Sequence, residues 1–192
     1  GVLALDFVTV QIQTLNLPLG WSIFSTYINP FVPQIDSVLF PISTDIVIVK
    51  NGLGMVYWPM FFLNNIGSLA IGEGYQVKMS TVADVDVIGL AVIPESTPVS
   101  VPEGWSILGY LRQSPALIDV MLSTISTDVV IAKNGLGMVW WPMFFLNNIG
   151  DMIPGEGYQI KMSTTQTFSY PANSNLSKSM IEPLSPARII NS

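Results

Sequence analysis

Cysteine and histidine are both missing from this chain of 192 residues. Without cysteine there is no disulfide framework and no thiolate metal site. Without histidine the commonest general base and the commonest transition-metal ligand are gone. Charge is scarce as well. Asp, Glu, Lys and Arg make up 10% of the residues, where an ordinary globular protein carries about 25%. Seven basic residues against thirteen acidic ones give a net charge of −6 and a pI near 4.3. The basic residues are scattered along the chain, so no nucleic-acid partner is expected, because phosphate neutralisation needs clustered cations. Long apolar runs are lacking too. The longest uncharged stretch, Phe7 to Ile35, is broken by Gln, Asn, Thr, Pro and Gly, short of the ~20 apolar residues of a spanning helix. The opening Gly1-Val2-Leu3 has no basic leader region, and the numbering is expected to begin after processing or inside a longer parent.

Apolar residues are nonetheless abundant, at 49%, and mean hydropathy is +0.51. With no membrane span expected, that composition suits a protein that buries its surface in an assembly. A tandem duplication dominates the chain. The stretch Lys50 to Gly67, KNGLGMVYWPMFFLNNIG, returns at Lys133 to Gly150 with Tyr57 replaced by Trp140, at an offset of 83 residues. The offset holds from Ile35/Ile118 to Thr81/Thr164, and Gly20-Trp21-Ser22-Ile23 returns as Gly104-Trp105-Ser106-Ile107 one residue out of step. Repeats of this length read as separate structural units.

The fold class expected is mainly β (α+β): two tandem small β-rich modules, each of about five strands with one short helix. The boundaries expected are an N-terminal strand or linker at 1–16, modules at 17–81 and 101–164, an inter-module strand and linker at 82–100, and a tail at 165–192. Phe7 to Gln13 alternates as a strand, as does Val85 to Ile93. Both are expected to reach the sheet edge of an adjacent module. Trp21 to Tyr27 is a further strand. A short helix is expected over Gln34 to Phe40, and in the second copy after Ser114 as N-cap and Pro115, with Leu117, Val120 and Met121 on one face. Asn51-Gly52 predicts a hairpin whose turn residues take positive φ. Tyr75 to Met79 is the last strand, with Tyr, Val and Met on one face. The Ser-, Asn- and Pro-rich tail after Thr164 is expected to have no regular structure of its own.

Taken together, Gly-Trp-Ser-Ile, a short helix, Asp-Ile-Val-Ile-Val-Lys-Asn-Gly-x-Gly, Asn-x-Ile-Gly and Gly-Glu-Gly-Tyr-Gln-Val-Lys-Met form a frame. It resembles repeat modules of large extracellular proteins of marine Bacteroidetes and of marine phage structural proteins. The resemblance spans Leu17–Thr81 and Val101–Thr164. It implies a structural or adhesive module placed extracellularly or on a virion surface, and no known enzyme. One departure stands out: where the frame would carry a more polar segment, this chain has Trp58-Pro59-Met60-Phe61-Phe62 and Trp141-Pro142-Met143-Phe144-Phe145.

No catalytic, cofactor or metal site is expected. The duplicated acids Asp36/Asp119, Asp45/Asp128 and Glu73/Glu156 occur singly in turns, strand starts or helices, not as converging carboxylate pairs. Asn64-Asn65 and Asn147-Asn148 lack nearby carboxylates for calcium and read as turn formers. The glycines after Asn51 are not followed by a helix with Lys-Ser/Thr, so they make no phosphate loop. The aromatics are the candidates. Tyr57 and Trp58 are neighbours on a strand and face opposite ways, so one of each pair, and of Trp140/Trp141, leaves the core. Tyr57, Trp58, Met60, Phe61 and Phe62, with Trp140, Trp141, Met143, Phe144 and Phe145, are the expected interface or ligand platform. The function expected is a non-enzymatic structural protein that forms a homo-oligomer or larger assembly, or decorates a virion or extracellular filament. The alternative is an adhesion or carbohydrate-binding module that stacks a glycan on Trp58 and Trp141.

Overall fold

The computed structural model describes residues 9–173. The expectations for Phe7, Val8 and the tail from 174 onward lie outside the described residues. Among the described residues the fold is mainly β, with antiparallel strand pairing and two single-turn α-helices.

The first module runs β1 (Gln11–Leu17), β2 (Gly20–Phe24), β3 (Ile28–Pro30), α1 (Ile35–Val38), β4 (Ile46–Lys50), β5 (Val56–Trp58), β6 (Leu63–Asn64), β7 (Tyr75–Met79) and β8 (Ala83–Ala91). Its main sheet has the order β2-β7-β4-β5-β6. Ile46 and Val49 of the β-branched run and the alternation of Tyr75, Val77 and Met79 supply its inward face, all three of the latter being buried as expected. A second sheet, β1-β8-β3, covers that face.

One expectation is corrected here. The inter-module strand pairs with β3 of the first module, from Ile28↔Ala91 to Pro30↔Gly89, but the first strand and the inter-module strand do not end on separate sheet edges. They pair with each other, from Gln11↔Gly89 to Leu17↔Ala83, because Leu15, Leu17, Val85 and Val87 bury together in the first core. Those leucines also set which face of β1 is inward. Gln13 therefore points in and Ile12 out. Gln13 is tolerated because its Oε1 accepts from Thr26 Oγ1 at 2.8 Å and from Tyr27 N at 3.0 Å.

The second module repeats the plan with β9 (Val99–Val101), β10 (Gly104–Gly109), β11 (Ala116–Leu117), α2 (Ile118–Met121), β12 (Val129–Lys133), β13 (Val139–Trp141), β14 (Leu146–Asn147), β15 (Asp151–Met152), β16 (Gly157–Met162) and β17 (Gln166–Phe168). The main sheet is β10-β16-β12-β13-β14, and β17 pairs with β9. The stretch just past Thr164, expected to lack regular structure, thus carries a strand. Phe168 and Tyr170 stand where Val85 and Val87 stand in the first module and are buried.

The helix expected after Ser114 begins later. Ala116 and Leu117 pair with Met152 and Asp151 as β11 and β15, so the backbone there is already satisfied and α2 starts at Ile118 with Leu117 as its N-cap. The buried residues are Ile118, Met121 and Leu122, while Leu117 and Val120 face solvent. In the first hairpin, Asn51 does not take positive φ. Its buried side chain accepts from Leu53 N and Met55 N, and Gly54 carries the left-handed residue at φ +80°.

The two modules meet about a pseudo-twofold axis. Phe24 bridges to Glu156, and its counterpart Leu108 bridges to Glu73. Ser25 N donates to Gly155 O at 2.9 Å and Gly109 N to Gly72 O at 2.8 Å. At the axis the chains touch through glycine: a Cβ on Gly74 would lie 2.7 Å from Ile107 Cγ2 and 3.3 Å from Gly157 Cα. A Cβ on Gly157 would meet Ile23 Cγ2 and Gly74 Cα at the same distances. The C-terminal ends of β2 and β10 are thereby closed against the 155–157 and 72–74 turns of the other module.

Candidate functional site

The opposite end of each sheet is built differently. Past Trp58 the chain makes a 3-10 turn, Pro59–Phe61, opened by a proline that needs no N–H partner. Phe62 N then donates to Pro59 O at 3.0 Å, and Phe62 takes φ 53°, ψ 31°. Phe145 does the same after Pro142–Phe144. These are the non-glycine residues with positive φ among those described. An L-residue held there costs about 1–2 kcal/mol, and glycine is the usual solution. Here the residue is phenylalanine, and it is 97% exposed in one copy and 98% in the other. Met60, Phe61, Met143 and Phe144 around it are also exposed. Asn64 and Asn147 lock the exit of each turn, their Oδ1 atoms accepting from Gly67 N and Gly150 N at 2.8 Å.

The structure thus divides the expected platform in two. Tyr57, 6% exposed, and Trp140, 2% exposed, are core residues. Trp140 Nε1 donates to Asp119 Oδ1 at 2.7 Å, and Asn147 Nδ2 donates to the same carboxylate. Burial, with the charge of Asp36 adding to it, pushes the Tyr57 phenol up. Trp58 and Trp141 lie on the outward face, each with the ring of Phe61 or Phe144 at 4.6 Å and nearly perpendicular. Those rings, with Met60, Met143, Phe62 and Phe145, form one apolar knuckle per module at the sheet edge remote from the axis.

The outward faces hold residues that the sequence reading passed over. Across the first sheet the register places Trp21 beside Lys78, Lys78 beside Ile48, and Gln76 between Ile23 and Lys50. The second sheet repeats this with Trp105, Lys161, Ile131, Ile107, Gln159 and Lys133. The two faces converge at the axis on a cleft of about 330 Å³ lined by Lys50, Gln76, Trp105, Lys133 and Gln159. It continues past Lys133 to Trp21. Lys50 Nζ and Lys78 Nζ lie 5.5 and 5.9 Å from the centre of the Trp21 ring, and Lys133 Nζ lies 5.5 Å from that of Trp105. Trp21 and Trp105 remain half-exposed. The signal for this arrangement was the repeated Gly-Trp-Ser-Ile, but only the pairing of β2 with β7 shows that its tryptophan meets lysine.

The duplicated acids do not converge. Asp45 and Asp128 accept backbone bonds from Ser80 N and Ser163 N at 2.8 Å. Glu73 and Glu156 sit in the turns that meet the other module, and their Oε2 atoms accept from Tyr75 Oη at 3.4 Å and Tyr158 Oη at 3.3 Å. Burial raises the Glu156 carboxyl above its ordinary range, opposed in part by the Tyr158 hydrogen bond. Both tyrosine phenols are pushed well up by burial. Among the described residues no three acidic side chains are grouped to hold a metal ion, and no helix is long and apolar enough to cross a membrane. No protein-family model matches the chain, and neither a curated protein nor a solved structure is found to be similar to it.

Proposed function

We propose that this chain is a non-enzymatic structural protein that assembles through its two apolar knuckles, as a component or decoration of a virion or an extracellular filament or surface. The observation that carries this reading is the exposed phenylalanine at left-handed φ, present in both modules. A strained backbone that holds a large apolar side chain out in water lowers the stability of the isolated fold through the strain, and the exposed ring adds nothing to its core. Burial in a contact with another subunit recovers about 1.5–3 kcal/mol for such a side chain. The pseudo-twofold gives every chain two such contacts at remote sheet edges. A unit with two like contact points can close into a ring or run on as a filament.

Stacking of a glycan on Trp58 and Trp141 is the weaker reading, because Phe61 and Phe144 already pack against those rings. The test is the particle mass of the unaltered chain and of Phe62→Gly/Phe145→Gly, by light scattering after size exclusion. Glycine accepts the backbone conformation and removes the ring. Large regular particles that dissociate in the variant support assembly through the knuckles. Particles that persist unchanged place the contacts elsewhere.

A further inference from the structure

We propose that the cleft on the pseudo-twofold axis binds a polysaccharide carrying regularly spaced anionic groups. This site is separate from the knuckles and goes beyond the assembly reading. The first observation is the distribution of charge. The chain is acidic overall, at −6, yet all four lysines among the described residues, Lys50, Lys78, Lys133 and Lys161, stand on the two outward sheet faces. No carboxylate lines the cleft where those faces converge. The nearest acids, Glu73 and Glu156, line the neighbouring pockets on the other side of Trp105 and Trp21.

The second observation is the kind of group set between the lysines. Trp21 and Trp105 each present a half-exposed ring with lysine cations beside it. The ammonium groups over the indoles take the sulfate or carboxylate that the sugar carries, and the part of each ring left exposed packs against the sugar's C–H surface. Gln76 and Gln159 stand between them with amide donors and acceptors for hydroxyls. The third observation is duplication. Both halves of the cleft carry the same Trp, Lys and Gln in the same register, so two successive acidic sugar units would meet two equivalent half-sites. Simultaneous engagement of both raises affinity without any new contact. A nucleic-acid strand could also stack and pair charge here, but the cleft offers few cations beside two hydroxyl-seeking amides, which favours the sugar polymer.

The full chain is titrated, at fixed salt, with dextran sulfate, polygalacturonate, neutral dextran and an oligodeoxythymidylate, and binding is read by calorimetry. Binding to dextran sulfate or polygalacturonate, weakened by added salt and absent for neutral dextran, is the expected result. Comparison of these two polymers tells sulfate esters from uronates as the source of the charge. Lys50→Gln/Lys133→Gln and Trp21→Ala/Trp105→Ala each weaken binding by roughly tenfold or more, the loss expected for charge-assisted contacts. Lys50→Gln/Lys133→Gln leaves the fold and the particle mass unchanged. Equal binding of neutral dextran, indifference to the lysine variants, failure of both acidic polymers, or tighter binding of the oligonucleotide would each overturn the proposal.

Discussion

Each sheet ends in two contrasting ways. At the inner edge β2 and β10 are closed against the other module by backbone hydrogen bonds, and Gly74 and Gly157 let the two chains approach to contact. At the outer edge β6 and β14 follow a knuckle that nothing among the described residues covers. The same sequence block contributes to both ends, since the hairpin glycines Gly52 and Gly135 approach the partner module's Ile107 N and Ile23 N while the Phe-Phe pair points away. Duplication therefore closed one edge of each sheet internally and left an identical exposed apolar surface on each far side. What differs between the ends is residue size at the point of approach: glycine where the contact is within the chain, phenylalanine where it faces out.

The largest expected effect comes from forcing the inner end to resemble the outer one. Gly157→Val places a side chain against Ile23, Phe24 O and Gly74, and should cost about 2–3 kcal/mol in denaturant unfolding. A loss below about 0.5 kcal/mol would mean that the modules are not closely packed at the axis. Next is a difference between the two modules. Trp140→Phe removes the indole donor to Asp119 and part of the buried ring volume, for a loss of about 1–2 kcal/mol. Tyr57→Phe, whose ring makes no such bond to Asp36, should cost less than half of that.

A smaller effect, opposite in sign, is expected at the outer end. Phe62→Gly or Phe145→Gly relieves the left-handed strain and should leave the dispersed chain as stable as before, or more stable by up to about 1 kcal/mol. A marked loss of stability would show that the phenylalanine belongs to the fold and not to a contact. The smallest effect concerns Glu156. Burial holds its folded-state pKa above the unfolded value, so the native state binds the proton more tightly and stability is gained as pH falls through the folded pKa. Glu156→Gln should therefore raise the unfolding midpoint slightly at neutral pH, and this advantage should fade as the pH enters the ordinary carboxyl range. A pH-independent difference would assign the effect to something other than ionisation.

Much of the architecture was legible because the relevant signals are local. β-branched runs, Asn-Gly and the Tyr-x-Val-x-Met alternation each act within a few residues, and the 83-residue offset doubles their weight. The errors share a non-local origin. The first strand took β8 as its partner because Leu15 and Leu17 bury with Val85 and Val87, about 70 residues away in sequence. The start of α2 was displaced because Ala116 and Leu117 found strand partners at 151–152, which outweighed the capping preference of Ser114. The strand at 166–168 could have been found by extending the 83-residue offset past Thr164, where Phe168 and Tyr170 replace Val85 and Val87. Composition there, rich in Ser and Asn, masked two buried aromatics. At the candidate site, opposite orientations of Tyr57 and Trp58 followed from strand geometry alone. The left-handed phenylalanine did not, since nothing in Met-Phe-Phe-Leu announces positive φ, and the cleft required the pairing of β2 with β7 and of module with module.

The most direct test of assembly through the outer edges is the solution mass of the unaltered chain beside that of Phe62→Gly/Phe145→Gly. The expected result is large, regular particles for the first and a dispersed, fully folded chain for the second. A stable 21.0 kDa monomer for the unaltered chain would contradict it.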